Sequence, residues 1–392
     1  MTAMPSDGTG AQPDIRLQRL RAELDAIDAR IVEALADRLR VVAVISAFKE
    51  TQSDPIRDRR REEELLQHLQ GLARDLRLDP HFVTRLFREI LDYSVRRQEE
   101  HLLARARGAD SVTAIAYQGT EGAWGHIAAM RHFGVRSGDV EYRAFDTFRE
   151  MLEAVRSGAA NFAMLPIENT TAGSMNETYD LLARMDVAVV GEEFQRIDHC
   201  LVAVEAVPLE RIKRILAEPQ AIEQCTGFLA GLPHCQVESL VNLAMAARRV
   251  RLDQDLSQAA IASEEAAGKW GLHVIARDIM DQRENYTRFV AVGPRLLPCD
   301  ARIACKTSLI FTTKHEEGAL VSCLNVLASH GLSLTKLESR PRPGSPWEYV
   351  FYVDFEGNLL DAATENALRE VAAHVVSMKV LGCYPARMPK AE

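Results

Sequence analysis

The sequence has no apolar run near the roughly 20 residues that a membrane-spanning helix needs. Residues 1–13 carry neither a basic start nor an apolar core, so they read as a disordered leader rich in Gly, Ser, Pro and Asp, not as a signal peptide. A soluble, cytoplasmic protein is expected. Cysteine is sparse: the seven, at 200, 225, 235, 299, 305, 323 and 383, are odd in number and form no C-x-x-C pair, which argues against a disulfide framework or a zinc site. Positive charge is not in excess either. With 47 Lys and Arg against 56 Asp and Glu, a net charge of −9, bulk attraction to nucleic acid or an anionic membrane is excluded, and an anionic ligand must be met by local charges. What the chain does have is core-forming material, 47% hydrophobic over 392 residues, enough for two or three domains.

Lysine is nearly missing from one region. Between Asp14 and Arg107 the basic residues are arginines except Lys49. Arginine forms rigid bidentate pairs with carboxylates, so the excess suits a dicarboxylate, although a salt-bridged helix surface accounts for most single arginines. The apolar residues Leu17, Leu20, Leu24, Ile27, Ile31, Leu35, Leu39, Val42 and Ile45 recur every three or four places, which predicts one amphipathic helix over 15–48, roughly 50 Å long. That is too long to be buried within one small domain. Asp54 and Pro55 mark a turn, and further helices are expected over 57–69 and 80–103, making an all-α unit.

After Gly108 the rhythm changes. A strand over 111–117, a Gly-rich turn at 118–122 and a helix to Phe133 are followed by a helix over 145–157 and short strands at 162–166, 187–191, 200–204, 214–216, 236–238 and 259–262, an α/β alternation. The buried run Phe162–Leu165 opens directly into Pro166–Gly173, so Glu168, Asn169, Thr170 and Thr171 arrive together at a strand end, where open α/β sheets bind ligands. The bland alternative is a capped turn into a helix over 176–185. A second cluster, Asn285 to Phe289, places Thr287 and Arg288 beside the apolar 290–292. From 306 on, strands over 306–313, 333–338, 349–355 and 380–383 and helices over 319–329 and 362–377 give βαββαβ, a ferredoxin-like order.

Two uncommon strings, LPIENTTAG (165–173) and NYTRF (285–289), with IDHCL (197–201), Pro219–Gln220 and Gln224–Cys225 between them, resemble prephenate dehydratase. LRAELDAID (20–28), Asp37–Arg38, Lys49, the segment 57–62, Ser94 and Gln98 resemble the all-α chorismate mutases. GALV (318–321), ESRP (338–341) and GCYP (382–385) resemble the amino-acid-sensing ACT module. The resemblances imply an all-α three-helix mutase domain over 14–107, a two-lobed (periplasmic-binding-protein-like) α/β dehydratase domain over 111–298 and a ferredoxin-like α+β ACT domain over 301–385. The implied function is conversion of chorismate to prephenate and of prephenate to phenylpyruvate, with feedback inhibition by L-phenylalanine. The competing readings are an arogenate-preferring dehydratase and a non-catalytic two-lobed binding protein fused to a sensor.

Carried across by resemblance, the mutase residues are Lys49 and Gln98 as donors to the ether oxygen, with Arg21, Arg38, Asp58, Arg61, Glu62 and Ser94 binding substrate. Arg21 and Arg38 lie 17 residues apart, roughly 25 Å along a helix, whereas a chorismate-sized molecule is under about 10 Å, so one chain cannot place both on one ligand but an antiparallel homodimer can. The dehydratase residues are Thr287 or a protonated Glu168 as proton donor, with Asn169, Thr170, Gln224 and Arg288 positioning. Arg288 is either a carboxylate clamp or a partner for Glu168. The effector site is expected at Gly318, Ala319, Leu320, Val321, Glu338, Ser339, Arg340 and Pro341. Neither reaction needs a cofactor or a metal; the partners expected are the substrates, phenylalanine and further copies of the chain, with no nucleic acid and no membrane. The chain departs from relatives at Ala123, Trp124 and Gly125, and at Ala217 and Glu218, where two hydroxyls and an imidazole are missing, leaving prephenate or arogenate preference open.

Overall fold

The computed structural model describes residues 11–52, 56–107, 112–136, 138–240, 242–297, 299–314, 316–341 and 349–387, with side chains described except at 11–15, 49–52 and 103–107. Most of the expected leader and the turn at Asp54–Pro55 lie outside the described residues. The chain divides into two units, Met1–Gln98 and Glu99–Glu392.

The first unit is three helices: α1 (Ala11–Gln52), α2 (Arg59–Asp75) and the first part of α3 (Pro80–Arg107). Nothing interrupts α1 for 42 residues, about 60 Å of helix. Asp58 caps α2 by accepting the backbone N–H of Arg61 at 3.0 Å. Every residue of α1 from 16 to 34 is exposed, and Leu17, Leu20, Leu24, Ile27 and Ile31 are each 45 to 57% exposed. The core of this unit lies elsewhere, around Ala73, Val83 and Val95.

The second unit opens with a lobe of β1 (Val112–Gln118), α4 (Trp124–Phe133), β2 (Asp139–Phe145), α5 (Phe148–Ser157), β3 (Phe162–Asn169), the two-residue β4 (Gly173–Ser174), α6 (Asn176–Arg184) and β5 (Ala188–Arg196). A capping box between Thr147 and Glu150 starts α5 at 148. Phe145, expected in that helix, therefore belongs to β2. The chain then builds a second lobe from β6 (Cys200–Ala203), β7 (Arg214–Ala217), α7 (Pro219–Gln224), α8 (Thr226–Ala230), β8 (Gln236–Ser239), α9 (Leu243–Asp253), β9 (Gln258–Ala262), α10 (Glu264–Trp270) and β10 (His273–Ala276), with sheet order β10-β6-β9-β7-β8. It returns to the first lobe as β11 (Tyr286–Gly293), antiparallel to both β3 and β5.

The C-terminal module comprises β12 (Cys305–Thr313), α11 (Ala319–Ser329), β13 (Ser333–Pro341), β14 (Tyr349–Glu356), α12 (Ala362–His374) and β15 (Val375–Pro385). The last helix ends at His374, earlier than its periodicity implies, because Val375 and Val376 begin β15. The module's sheet, β13-β14-β12-β15, continues without a break into β5-β11-β3-β1-β2 of the first lobe. The junction is Gly382 opposite Val189, and a Cβ at 382 would fall on the Val189 carbonyl. One apolar core is shared as well: Ile310, Tyr352, Leu381 and Tyr384 of the module pack with Met151, Leu152, Tyr179 and Leu182 of the lobe. Before β12, Cys299 and Cys305 bring their sulfurs into bonding contact with Cα atoms 7.3 Å apart. The spacing of the cysteines had argued against such a pair; Cys200, Cys225, Cys235, Cys323 and Cys383 are free thiols.

Candidate active sites

In the helical unit the fold gathers part of the expected set. Arg38 donates to Ser94 Oγ at 2.5 Å, and Ser94 in turn donates to the Ile90 carbonyl at 2.7 Å. Gln98 follows Ser94 by one helical turn and is half-buried. Arg57, which the carried-over set omits, forks onto Glu62 at 3.0 and 3.2 Å and reaches Asp92 at 3.4 Å. Arg61 instead turns outward to Glu64 at 3.4 Å, since Asp58 is used in capping α2. Arg21 lies on the fully exposed half of α1, about 25 Å along the helix from Arg38. The side chain of Lys49 lies outside the described residues.

In the second unit two adjacent strands carry the key strings. Thr287 pairs with Asn169 and Arg288 with Glu168 across β11 and β3, and strand alternation sends the two pairs to opposite faces of the sheet. On one face Asn169 Oδ1 accepts from Thr171 N, Thr171 Oγ1 and Ala172 N at 2.7 to 2.9 Å. Three donors fix the orientation of the amide, so Nδ2 is the atom facing Thr287 Oγ1 at 2.9 Å and Asn285 Oδ1 at 2.8 Å. Because Thr287 accepts from Asn169, its own hydroxyl hydrogen is left to be given elsewhere. Gln224, on α7 of the second lobe, donates to Thr171 Oγ1 at 2.9 Å and bonds His199 Nε2 at 2.9 Å, so it ties the lobes at this place and is not the exposed helix residue that sequence alone would make it. Thr170 is consumed in structure: its N–H and hydroxyl both bond the 284–286 segment.

On the other face Arg288, 4% exposed, donates to Glu192 at 2.8 Å, Glu168 at 3.1 Å, Asp354 at 2.6 Å and the Tyr384 hydroxyl at 3.0 Å. It is thus the partner of Glu168, not a carboxylate clamp in the cleft. Glu168 also bonds Lys336 of β13. Burial alone would raise the Glu168 pKa, but the bond to Lys336 and the charges of Arg288 and Lys336 outweigh it and hold the carboxyl below its ordinary value. Glu168 is therefore a carboxylate, and its role as a protonated donor is withdrawn.

The effector strings divide similarly. Gly318, at φ +75°, precedes α11, whose first residues Ala319 and Leu320 are half-buried and Val321 exposed. On β13, Glu338 accepts from Ser174 at 2.7 Å and Arg340 donates to Asp180 at 3.3 Å, both partners in the first lobe, whereas Ser339 and Pro341 point outward.

A family model for prephenate dehydratase matches residues 115–295, and one for chorismate mutase type II matches residues 20–99. A bifunctional chorismate mutase/prephenate dehydratase from Enterobacter agglomerans is 36% identical over 377 residues, covering 95% of this chain and 97% of that protein. The chain belongs to the bifunctional chorismate mutase/prephenate dehydratase family. Among solved structures, the prephenate dehydratase from Arthrobacter aurescens in complex with L-Phe is 29% identical at a TM-score of 0.63, covering 70% of this chain and 90% of that one. A protein described as GqqA, a novel type of quorum quenching acylase, is 32% identical at 0.62, covering 70% and 98%.

Trp124 and Glu121 meet the second lobe at the lobe junction. Trp124 packs with both lobes' cores and lies 6.4 Å from the His199 ring, and Glu121 of the Gly-rich turn pairs with Lys269 of the second lobe. Glu218, at the start of α7, is pushed up to about 7 by burial, against a bond from the Leu243 N–H. An ionisable acid thus stands directly before Pro219 at the start of α7.

Proposed function

We infer that the helical unit carries the chorismate mutase site and that the Asn169–Thr287 pair is the core of the prephenate dehydratase site, in a bifunctional enzyme of phenylalanine synthesis inhibited by phenylalanine. The mutase step is a unimolecular rearrangement that needs no nucleophile and no proton transfer, so cations that hold a compact conformer and meet the developing charge on the ether oxygen suffice. Arg38 and Arg21 would take the two carboxylates, with Lys49 and Gln98 at the ether oxygen. Arg21 comes from a second copy: the reach along α1 requires it, and the exposed apolar stripe from Leu17 to Ile31 supplies the surface for a homodimer.

Dehydration of prephenate expels hydroxide and carbon dioxide together and ends in an aromatic ring, so one donor at the leaving hydroxyl and dipoles at the carboxylates are enough. Thr287 is that donor, oriented by Asn169, whose hydrogen bond at 2.9 Å is the observation that carries this reading. Gln224 and Thr171 position the substrate from either side of the lobe junction. On this reading the enzyme works in the cytoplasm. Feeding chorismate to the purified chain and following phenylpyruvate tests the whole scheme; accumulation of prephenate without phenylpyruvate would overturn the dehydratase half. Rates on arogenate beside prephenate decide the substrate preference that Glu218 leaves open.

A further inference from the structure

The face of β3 and β11 turned away from Thr287 carries an ionic cluster that the reaction does not use. The lobe contributes Glu168, Glu192 and Arg288; the C-terminal module contributes Lys306, Lys336 and Asp354. Lys306 bonds both oxygens of Glu192 at 2.8 and 2.9 Å, and Ser308 bonds Asp354 at 2.5 Å and the Tyr384 hydroxyl at 2.6 Å. Within hydrogen-bonding distance three carboxylates face three cations, a surplus negative charge in the lobe meeting a surplus positive charge in the module, and Glu338 of the module adds a fourth carboxylate 3.9 Å from Lys336. Removing one buried charge from such a set leaves its partner uncompensated.

Glu168 and Asn169 are consecutive, as are Thr287 and Arg288, so whatever holds Glu168 and Arg288 fixes the backbone from which Asn169 and Thr287 project. We propose that Lys336 and Asp354 of the C-terminal module are positioning residues for the dehydratase reaction, acting through Glu168 and Arg288 on the Asn169–Thr287 pair. The inference rests on that pair being the dehydratase site. The groups facing Glu168 are Arg288 on β11, Lys336 and Glu338 on β13, Ser174 on β4 and, through Arg288, Asp354 on β14; the Tyr179 ring lies beneath the Lys336 ammonium at 5.6 Å. With Lys336 removed, Arg288 alone remains to hold Glu168 ionised, and the carboxyl titrates at higher pH.

The test uses the full chain with prephenate as substrate and mutase turnover as an internal control. Lys336→Met should lower dehydratase kcat about ten- to a hundredfold, the scale of a misplaced reacting group, with KM changed less and mutase turnover unaltered. The acid limb of the dehydratase profile should move to higher pH, and Lys336→Arg should recover most of the rate. In a Glu168→Gln background, Lys336→Met should add little, since both act through one contact. Unaltered kcat and pH profile in Lys336→Met, or additive losses in the double variant, would overturn the proposal. If Lys336→Met does not fold, Asp354→Asn decides: a lower kcat is expected with the acid limb displaced to lower pH, because an anion that competes with Glu168 for Arg288 has been removed, and an unaltered enzyme overturns it. An unsubstituted chain inactive on prephenate would instead refute the dehydratase reading itself.

Discussion

The two units bring their ligands together by opposite means. In the helical unit Arg21 and Arg38 stand on one straight helix, and half of that helix is exposed with its apolar stripe uncovered. In the second unit Asn169 and Thr287, 118 residues apart, meet at 2.9 Å within one chain. A helix separates residues along its axis in proportion to their spacing, so the proposed mutase site, drawn from one long helix, needs another copy to complete it. A sheet pairs distant segments side by side, so it brings the proposed dehydratase pair together within one chain, and the alternation of its side chains gives it a second face on which something else can act.

The largest effect should be on the assembled pair. Thr287→Val keeps the shape and removes the hydroxyl, while Asn169 Nδ2 retains Asn285 Oδ1 at 2.8 Å and the Tyr286 carbonyl at 3.2 Å. Dehydratase kcat should fall about a hundred- to ten-thousandfold, the range for loss of a general acid. Mutase turnover in the same samples should be intact, so that chorismate is converted and prephenate accumulates. A parallel fall in both activities would mean the two units do not work separately.

Next in size is the reverse face. Arg288→Met strands Glu168, Glu192 and Asp354 with Lys306 and Lys336 only, and breaking buried ion pairs of this kind costs about 3–5 kcal/mol. Urea unfolding followed by the fluorescence of Trp124 and Trp270, both in the second unit, should show its transition moved to lower denaturant. An unshifted transition would show that the cluster contributes no stability.

The helical unit is tested by mixing. Arg21→Ala and Arg38→Ala subunits should each lack mutase activity, and after exchange about a quarter of the parent activity should return, because half the dimers are mixed and each has one intact site of two. Mixtures shown to exchange yet still inactive would make the sites those of single chains.

Sequence made the catalytic pair legible because its two residues sit in uncommon strings at strand ends, where periodicity also points to a sheet. It made the expectation of a second copy possible because helix rise converts the spacing of Arg21 and Arg38 directly into a length. Glu168 was misjudged for a physical reason: its protonation depends on Lys336, 168 residues away, and no local pattern announces that contact. The same holds for Asp354 and Tyr384 around Arg288. The strand β2 escaped notice because it is the sheet's edge, with no position of DVEYRAF fully buried. The shared sheet between lobe and module was equally hidden, since the segment 294–300 reads as a simple joint while the main contact runs through Gly382 and the Tyr352 and Tyr384 rings.

The smallest effect concerns the effector, and it separates the units once more. Glu338, an expected effector-site residue whose carboxylate is suited to the phenylalanine ammonium, already accepts from Ser174 Oγ at 2.7 Å and stands 3.9 Å from Lys336. The effector must therefore compete with a contact to the first lobe, and that competition would pass binding to the strand end bearing Glu168 and Asn169. Substitution at Gly318 is a poor probe of this, because a side chain at φ +75° is strained whatever it touches. Ser174→Ala is cleaner: it removes the hydrogen bond to the Glu338 carboxylate, about 1 kcal/mol, and a long 3.4 Å contact from Lys336, which keeps its bond to Glu168, and so should lower the phenylalanine concentration for half-inhibition of the dehydratase roughly two- to fivefold, with uninhibited turnover retained. The mutase, in the other unit, should respond less than the dehydratase to phenylalanine in both parent and variant. An inhibition curve that stays in place, or moves to higher phenylalanine, would show that Glu338 is not contested between lobe and effector.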